Sequence, residues 1–132
     1  MKKLLPILLI FILTLCGCGP AIREKKEEIE KMDIPTIYRL AIKYYSEGLV
    51  DESEILYKEI INKYSQLKTP SEEEKRTYFW ALYEVGFINY TKGIYKTSKE
   101  YLEKLFSEVG NNHTLPQVVL GKKIYSKVKS TE

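Results

Sequence analysis

Few residues in this chain are of types that do chemistry, and their spacing narrows the chemistry further. Two cysteines, Cys16 and Cys18, flank Gly17 in the stretch Leu15-Cys16-Gly17-Cys18-Gly19. Such a pair can bridge, bind metal or carry a covalent modification. His113 is the only histidine. It lies in the turn-forming stretch Gly110-Asn111-Asn112-His113, with no serine or cysteine placed to make it a general base. Glu72, Glu73 and Glu74 are consecutive, but they fall at a helix start, where the macrodipole favours acidic side chains. Metal ligation needs clustered His, Cys or carboxylates, and no such cluster is present. No catalysis, metal, cofactor or small-molecule substrate is therefore expected.

The segment ahead of the cysteines decides their role. Twelve mostly apolar residues, Leu4 to Leu15, follow Met1-Lys2-Lys3. A membrane-spanning helix needs about 20 such residues, so this run has the layout of a secretory signal. Leu15-Cys16-Gly17-Cys18 resembles the lipobox of bacterial lipoproteins, with an apolar residue three before the modified cysteine and a small one directly before it. Cys16 has the bulky Leu15 before it and is a poor acceptor. The resemblance implies that residues 1–17 are removed and that Cys18 becomes a lipidated N-terminus, with palmitate among its acyl chains. The mature chain then has no second thiol for a disulfide. The alternative is an uncleaved hydrophobic anchor with two incidental cysteines. Each buried CH₂ of an acyl chain contributes about 0.8 kcal/mol, and two or more chains hold stably. In that family Asp after the cysteine retains the protein on the inner membrane. Gly19 and Pro20 imply the outer membrane instead, on its periplasmic face, or the outer face of the cytoplasmic membrane in a single-membrane organism.

Stepping inward from the anchor, residues 18–33 form the lipidated N-terminus and a spacer. Arg23 to Lys31 carries four charges of each sign, the composition of a solvated linker or marginal helix; a charged binding segment is the alternative. Without Lys2 and Lys3, 19 basic residues face 18 acidic ones, so no attraction to nucleic acid follows. All eleven tyrosines, Trp80 and three of four phenylalanines lie beyond residue 17. Residues 34–132 read as one helical domain. Asp33 caps the first helix with Pro35 in its first turn, Ile37, Leu40, Ala41 and Tyr44 share a face, and Gly48 ends it. A second helix, about 51–64, presents Leu56, Tyr57, Ile60, Ile61 and Tyr64. Thr69-Pro70-Ser71-Glu72 predicts the cap of a third helix ending before Gly93. A fourth covers about 96–109. Thr114 and Gln117 predict a capping box for a last helix, with Leu120, Ile124, Tyr125 and Val128 along one side.

Two helical pairs repeat. A shift of 45 residues lays 38–61 onto 83–106, matching Tyr38, Tyr45, Gly48 and Ser53 to Tyr83, Tyr90, Gly93 and Ser98. This hairpin resembles the tetratricopeptide repeat. Leu40-Ala41, Tyr44, Gly48, Ser53 and Tyr57 stand at that family's spacing, as do Val85-Gly86, Gly93 and Ser98, while Asn89 and Leu102 replace the second unit's aromatics. Family repeats recur every ~34 residues, so the 45-residue offset predicts a longer connection near Ser65–Thr69 and an extended third helix. The resemblance implies an all-α fold: two tetratricopeptide-like hairpins in a right-handed array, closed by a C-terminal end helix.

In that family the first helix of each hairpin lines a concave surface. Carried over by spacing, the lining residues are Tyr38, Ile42 and Tyr45 from one unit, and Trp80, Tyr83, Phe87 and Tyr90 from the next. Aromatic residues with polar handles suit recognition of an extended or helical peptide; the alternative is that the stripe is buried as core. The expected function is a membrane-tethered protein–protein interaction scaffold or accessory subunit of a bacterial envelope assembly, with protein partners in the envelope. The alternative is a pilot or carrier lipoprotein that escorts an outer-membrane client.

Overall fold

The computed structural model describes residues 25–130; the expected signal segment, Cys16 and Cys18 lie outside the described residues. Six helices account for most of them: α1 (Lys26–Lys31), α2 (Ile34–Ser46), α3 (Val50–Gln66), α4 (Glu72–Thr91), α5 (Tyr95–Glu108) and α6 (Pro116–Lys129). The described part of the chain contains no strand. α1 is a short helix inside the charged stretch. From α2 onward each helix packs on the next as far as α5, α2 also meets α4, and α6 rests on both α4 and α5. The helical hairpins expected from the repeat are therefore α2/α3 and α4/α5.

The two hairpin turns are the same structure twice. Gly48 and Gly93 adopt φ of +79° and +73°, the left-handed region where a side chain is strained and glycine is not. The Leu49 amide donates to the Tyr44 carbonyl and the Gly48 amide to that of Tyr45. Forty-five residues later Ile94 donates to Asn89 and Gly93 to Tyr90. Both are Schellman motifs, which satisfy the last carbonyls of one helix and launch the next.

Close contact between helices follows from small residues at matched positions. Ser53 is fully buried, and its hydroxyl donates to the Ala41 carbonyl of the facing helix at 2.9 Å. Ser98 is equally buried, but its hydroxyl has no partner among the described residues. Leu102 of α5 sits between two glycines. A Cβ on Gly86 of α4 would lie 2.9 Å from it, and one on Gly121 of α6 would lie 3.3 Å away. α4 is the central helix, buried on several sides through Tyr78, Phe79, Leu82, Val85 and Ile88. Tyr78 stacks on Tyr64 with ring centroids 4.1 Å apart.

One polar cluster ties α3 to α4. Glu54 is buried and accepts hydrogen bonds from Asn89 at 2.9 Å, Lys92 at 2.6 Å and Lys58 at 2.6 Å. Burial pushes the carboxyl up, but the hydrogen bonds from Lys58, Lys92 and Asn89 outweigh it and bring it down to about 2. Asn89 also donates to the Val85 carbonyl. It stands where the first unit has Tyr44, and this double role explains the departure from an aromatic.

Asp33 caps α2 by accepting from the Thr36 amide at 2.8 Å, as expected. Two other helix starts differ from expectation. The cap of α4 is Ser71, whose side chain and that of Glu74 form the capping box; Thr69 is not the cap. Starting there puts Glu72, Glu73 and Glu74 together in the first turn, where the macrodipole acts on all three. α6 starts at Pro116, with Leu115 as N-cap at φ −59°, ψ 136° and no side-chain cap. A residue before proline is held extended, and proline suits the first helical position, so the Thr114–Gln117 box does not form. Thr114 bonds Asn112 instead. On α6 the inward face is Val118, Gly121, Ile124 and Val128, whereas Leu120 is exposed. The close approach at Gly121 sets the line of contact and turns Leu120 aside. The surplus over a ~34-residue repeat is mostly helical: α4 begins 11 residues before Tyr83, against four residues between the start of α2 and Tyr38.

Candidate functional site

α2 and α4 lie side by side, and the aromatic stripe runs along them. On α4 Trp80 meets Tyr83 edge-on at 5.7 Å, and Tyr83 stacks on Phe87 at 6.1 Å. These residues recur at three- and four-residue steps, so helical geometry alone aligns them. On α2 Ile42 and Tyr45 are 47% and 38% exposed, while Tyr38 is half-buried and packs edge-on against Tyr57 of α3 at 6.0 Å. Trp80, Tyr83, Phe87 and Tyr90 are half-buried as well. The stripe thus combines exposed and half-buried side chains. One side of the α4 ladder packs on the core clusters around Leu82, Leu102 and Leu105, and the other faces open space.

That space divides into two clefts of about 250 Å³ each. Ile42, Tyr45, Tyr57, Tyr83, Glu84 and Phe87 line the first. Pro35, Tyr38, Arg39, Glu73, Arg76, Thr77 and Trp80 line the second. Six of the seven stripe residues expected from sequence therefore border one cleft or the other. Tyr90 borders neither; it leans toward Tyr95 of α5, with centroids 6.1 Å apart. A wider cleft of about 440 Å³ opens on the other side of Trp80, between α4, the end of α5 and the start of α6. Its lining mixes Lys75 and Arg76 with Glu72 and Glu108.

The residues that sequence reasoning missed are the charged ones. Glu84 faces the first cleft, and burial pushes its carboxyl up to about 7. Burial, followed by the negative charge of Glu84, raises the phenols of Tyr38, Tyr57 and Tyr83 above their ordinary value. They remain neutral hydrogen-bonding groups across physiological pH. Arg39 and Arg76 give the second cleft a positive character that Glu73 partly offsets. The available signal was the helical ladder itself: positions 76, 80, 83, 84 and 87 share one face, and extending the stripe to its charged members finds both Arg76 and Glu84. Tyr57, one of the residues that the second helix was expected to present, is 2% exposed yet also lines the first cleft.

Aromatic rings, phenols and isolated charges line the two clefts. Among the described residues no group of three His, Cys, Asp or Glu side chains could hold a metal ion, and no helix is long and apolar enough to cross a membrane. No family model, no curated protein and no solved structure matches the chain.

Proposed function

We propose that the chain is a membrane-tethered protein–protein interaction scaffold, an accessory subunit of a bacterial envelope assembly built on two tetratricopeptide-like hairpins. The groove between α2 and α4 is its peptide-binding surface. The observation that carries this reading is the half-exposed aromatic stripe bordering two adjacent clefts, with Ile42 and Tyr45 left open on its rim. Rigid aromatic residues with a buried edge and an accessible edge are the usual anchors of peptide interfaces. The Schellman turns and small-residue contacts that repeat 45 residues apart support the family reading.

A photo-crosslinking amino acid placed at Ile42 should capture one discrete product in the native envelope. The same label at Ile55 of α3, which is 45% exposed and lies outside the groove, should not. Trp80→Ala should then weaken capture by about 2 kcal/mol, the effect of losing an aromatic anchor. Its stability loss should stay below the roughly 3–5 kcal/mol of a fully buried aromatic. Equal capture from both positions, or undiminished capture by Trp80→Ala, would remove the groove from this account.

The anchor rests on the lipobox resemblance around Cys18, outside the described residues. Cys18→Ser should accumulate as an unprocessed precursor without acyl label, while Cys16→Ser is processed normally. Equal labelling of both single variants would overturn the assignment.

A further inference from the structure

Glu84 is not explained by the fold. Among the described residues it forms no ion pair and accepts no hydrogen bond, in contrast to Glu54, which has three partners. A carboxyl in an apolar setting without a cation is unfavourable to the native state, so packing alone gives no reason to place it there. It stands instead in a cleft that opens to solvent at Ile42 and Tyr45. Carboxylates left unpaired by their own chain in a cleft are candidates for pairing with a ligand.

The rings around it have the matching character. Tyr45, Tyr57, Tyr83 and Phe87 line the same cleft, and aromatic faces attract cations most strongly where water is excluded. Ile42 adds an aliphatic wall on which a methylene stem can lie. At about 250 Å³ the cleft is smaller than sites for drug-sized ligands and is of a size for a single side chain. The adjoining cleft carries Arg39 and Arg76, which disfavours a second basic group there.

We propose that the cleft around Glu84 holds a basic side chain, lysine or arginine, projected by the partner segment that occupies the groove. The ammonium or guanidinium group pairs with the Glu84 carboxylate while its stem and charge rest against Ile42 and the four rings. The proposal rests on the groove being the binding surface, and it adds which residue that surface selects.

The pairing also makes recognition pH-dependent. The titratable groups facing Glu84 are phenols: Tyr38 and Tyr45 from α2, Tyr57 from α3 and Tyr83 from its own helix. α5 and α6 contribute no lining residue to this cleft. Only Glu84 therefore changes charge between about pH 6 and 8, and a cation binds its deprotonated form.

The test is selection of nonapeptides from a random phage-displayed library on the detergent-solubilised full chain, beside its Glu84→Gln and Trp80→Ala variants. Glu84→Gln keeps the size and shape of the side chain and folds normally. The wild-type chain should select peptides sharing one position enriched in lysine and arginine. Replacing that residue by norleucine in a synthetic lead peptide should weaken binding about tenfold. With Glu84→Gln the basic preference should vanish while norleucine peptides bind as before. Lowering the pH from about 8 to about 6 should weaken the lysine peptide about fivefold, as Glu84 takes up a proton, and should not weaken the norleucine peptide. Selected peptides that lose binding with Trp80→Ala but show no basic preference, or a preference that survives Glu84→Gln, would overturn the cation site and leave the groove standing. Peptides indifferent to Trp80→Ala, or none selected at all, would overturn the groove reading and the cation site with it.

Discussion

Gly86→Leu should cost the helical domain more than about 3 kcal/mol or prevent it from folding. The first atom of any side chain at position 86 would lie 2.9 Å from both Cγ and Cδ2 of Leu102, and 3.5 Å from the Ser98 carbonyl. Leu102 cannot withdraw, because it is fully buried and lies 3.3 Å from the corresponding position on Gly121 of the third helix in the contact. Overpacking of a filled core costs roughly 1–3 kcal/mol and sometimes more, and leucine adds three further carbons beyond the one that already collides. Gly86→Ala separates the effects. It gains about 1 kcal/mol of helix propensity against the same first collision, so its net loss should be small. Gly86→Leu combined with Leu102→Ala should recover part of the loss, since residues in contact couple. Gly93→Ala serves as a control. Nothing lies within 4 Å of its Cβ position, but its φ is +73°, so its loss of about 1–2 kcal/mol comes from backbone strain alone. Urea unfolding followed by helical circular dichroism measures all four. A Gly86→Leu chain within about 1 kcal/mol of the parent would mean that α4, α5 and α6 are not in close contact.

Much of this architecture was legible because it is written in local signals. Glycines at 48 and 93, each after an amphipathic run, can do one thing cheaply, which is to end a helix in the left-handed conformation. Asp33 followed by Pro35 is an equally local instruction. The sequence was less informative where two local signals competed. Thr69…Glu72 and Ser71…Glu74 are both capping boxes by spacing, and the choice fell to the one that places three glutamates in the first turn. Thr114…Gln117 lost to Pro116, whose fixed φ outweighs a side-chain hydrogen bond. Contacts between distant residues were the least legible. Gly121 reads as a weak helix residue until Leu102 and Phe106 are seen against it. Asn89 reads as a missing aromatic until Glu54 supplies its partner.

The candidate site divides along the same line. Its aromatic members were found because three- and four-residue spacing on a helix is a one-dimensional pattern. Their exposure depends on what lies across from them, and it differs along the stripe, with Tyr90 turned to α5 and Ile42 open to solvent. Glu84 was passed over because an acidic residue on a helix is ordinarily solvated. Only the placement of Tyr57 and Tyr45 across from it reveals a carboxyl in a largely apolar cleft.

Buried Glu54 and half-buried Glu84 should give the domain a stability optimum near pH 4.5–5, below the usual range. Glu54 is held at about 2 against an ordinary 4.5. Its folded value lies below its unfolded one, so its contribution is fully present above about pH 4.5 and is lost as pH falls toward 2. Linkage sets that loss at about 3 kcal/mol, trimmed because Lys58 is 44% exposed and partly screened. Asp33 and Glu74, lowered by their cap hydrogen bonds to Thr36 and Ser71, add to the same limb. Glu84 acts in the opposite sense, with a folded value of about 7 against 4.5. Between those values the native chain keeps a proton that the unfolded chain has released, so stability falls as pH rises and the loss is complete above about 7. With water reaching the open side of the cleft, that loss is about 1–3 kcal/mol. Glu84→Gln should remove this upper limb alone: it should match the parent near pH 4.5 and exceed it by about 1–3 kcal/mol at pH 8. Chemical denaturation across pH 3–9 on the two chains measures both limbs. If the parent is as stable at pH 8 as at pH 5, or if Glu84→Gln is no more stable than the parent at pH 8, Glu84 is not desolvated and the cleft around it is open water. If the limb is present, the native chain keeps at this position a carboxyl that weakens it at neutral pH, which is the expected signature of a group retained for a ligand.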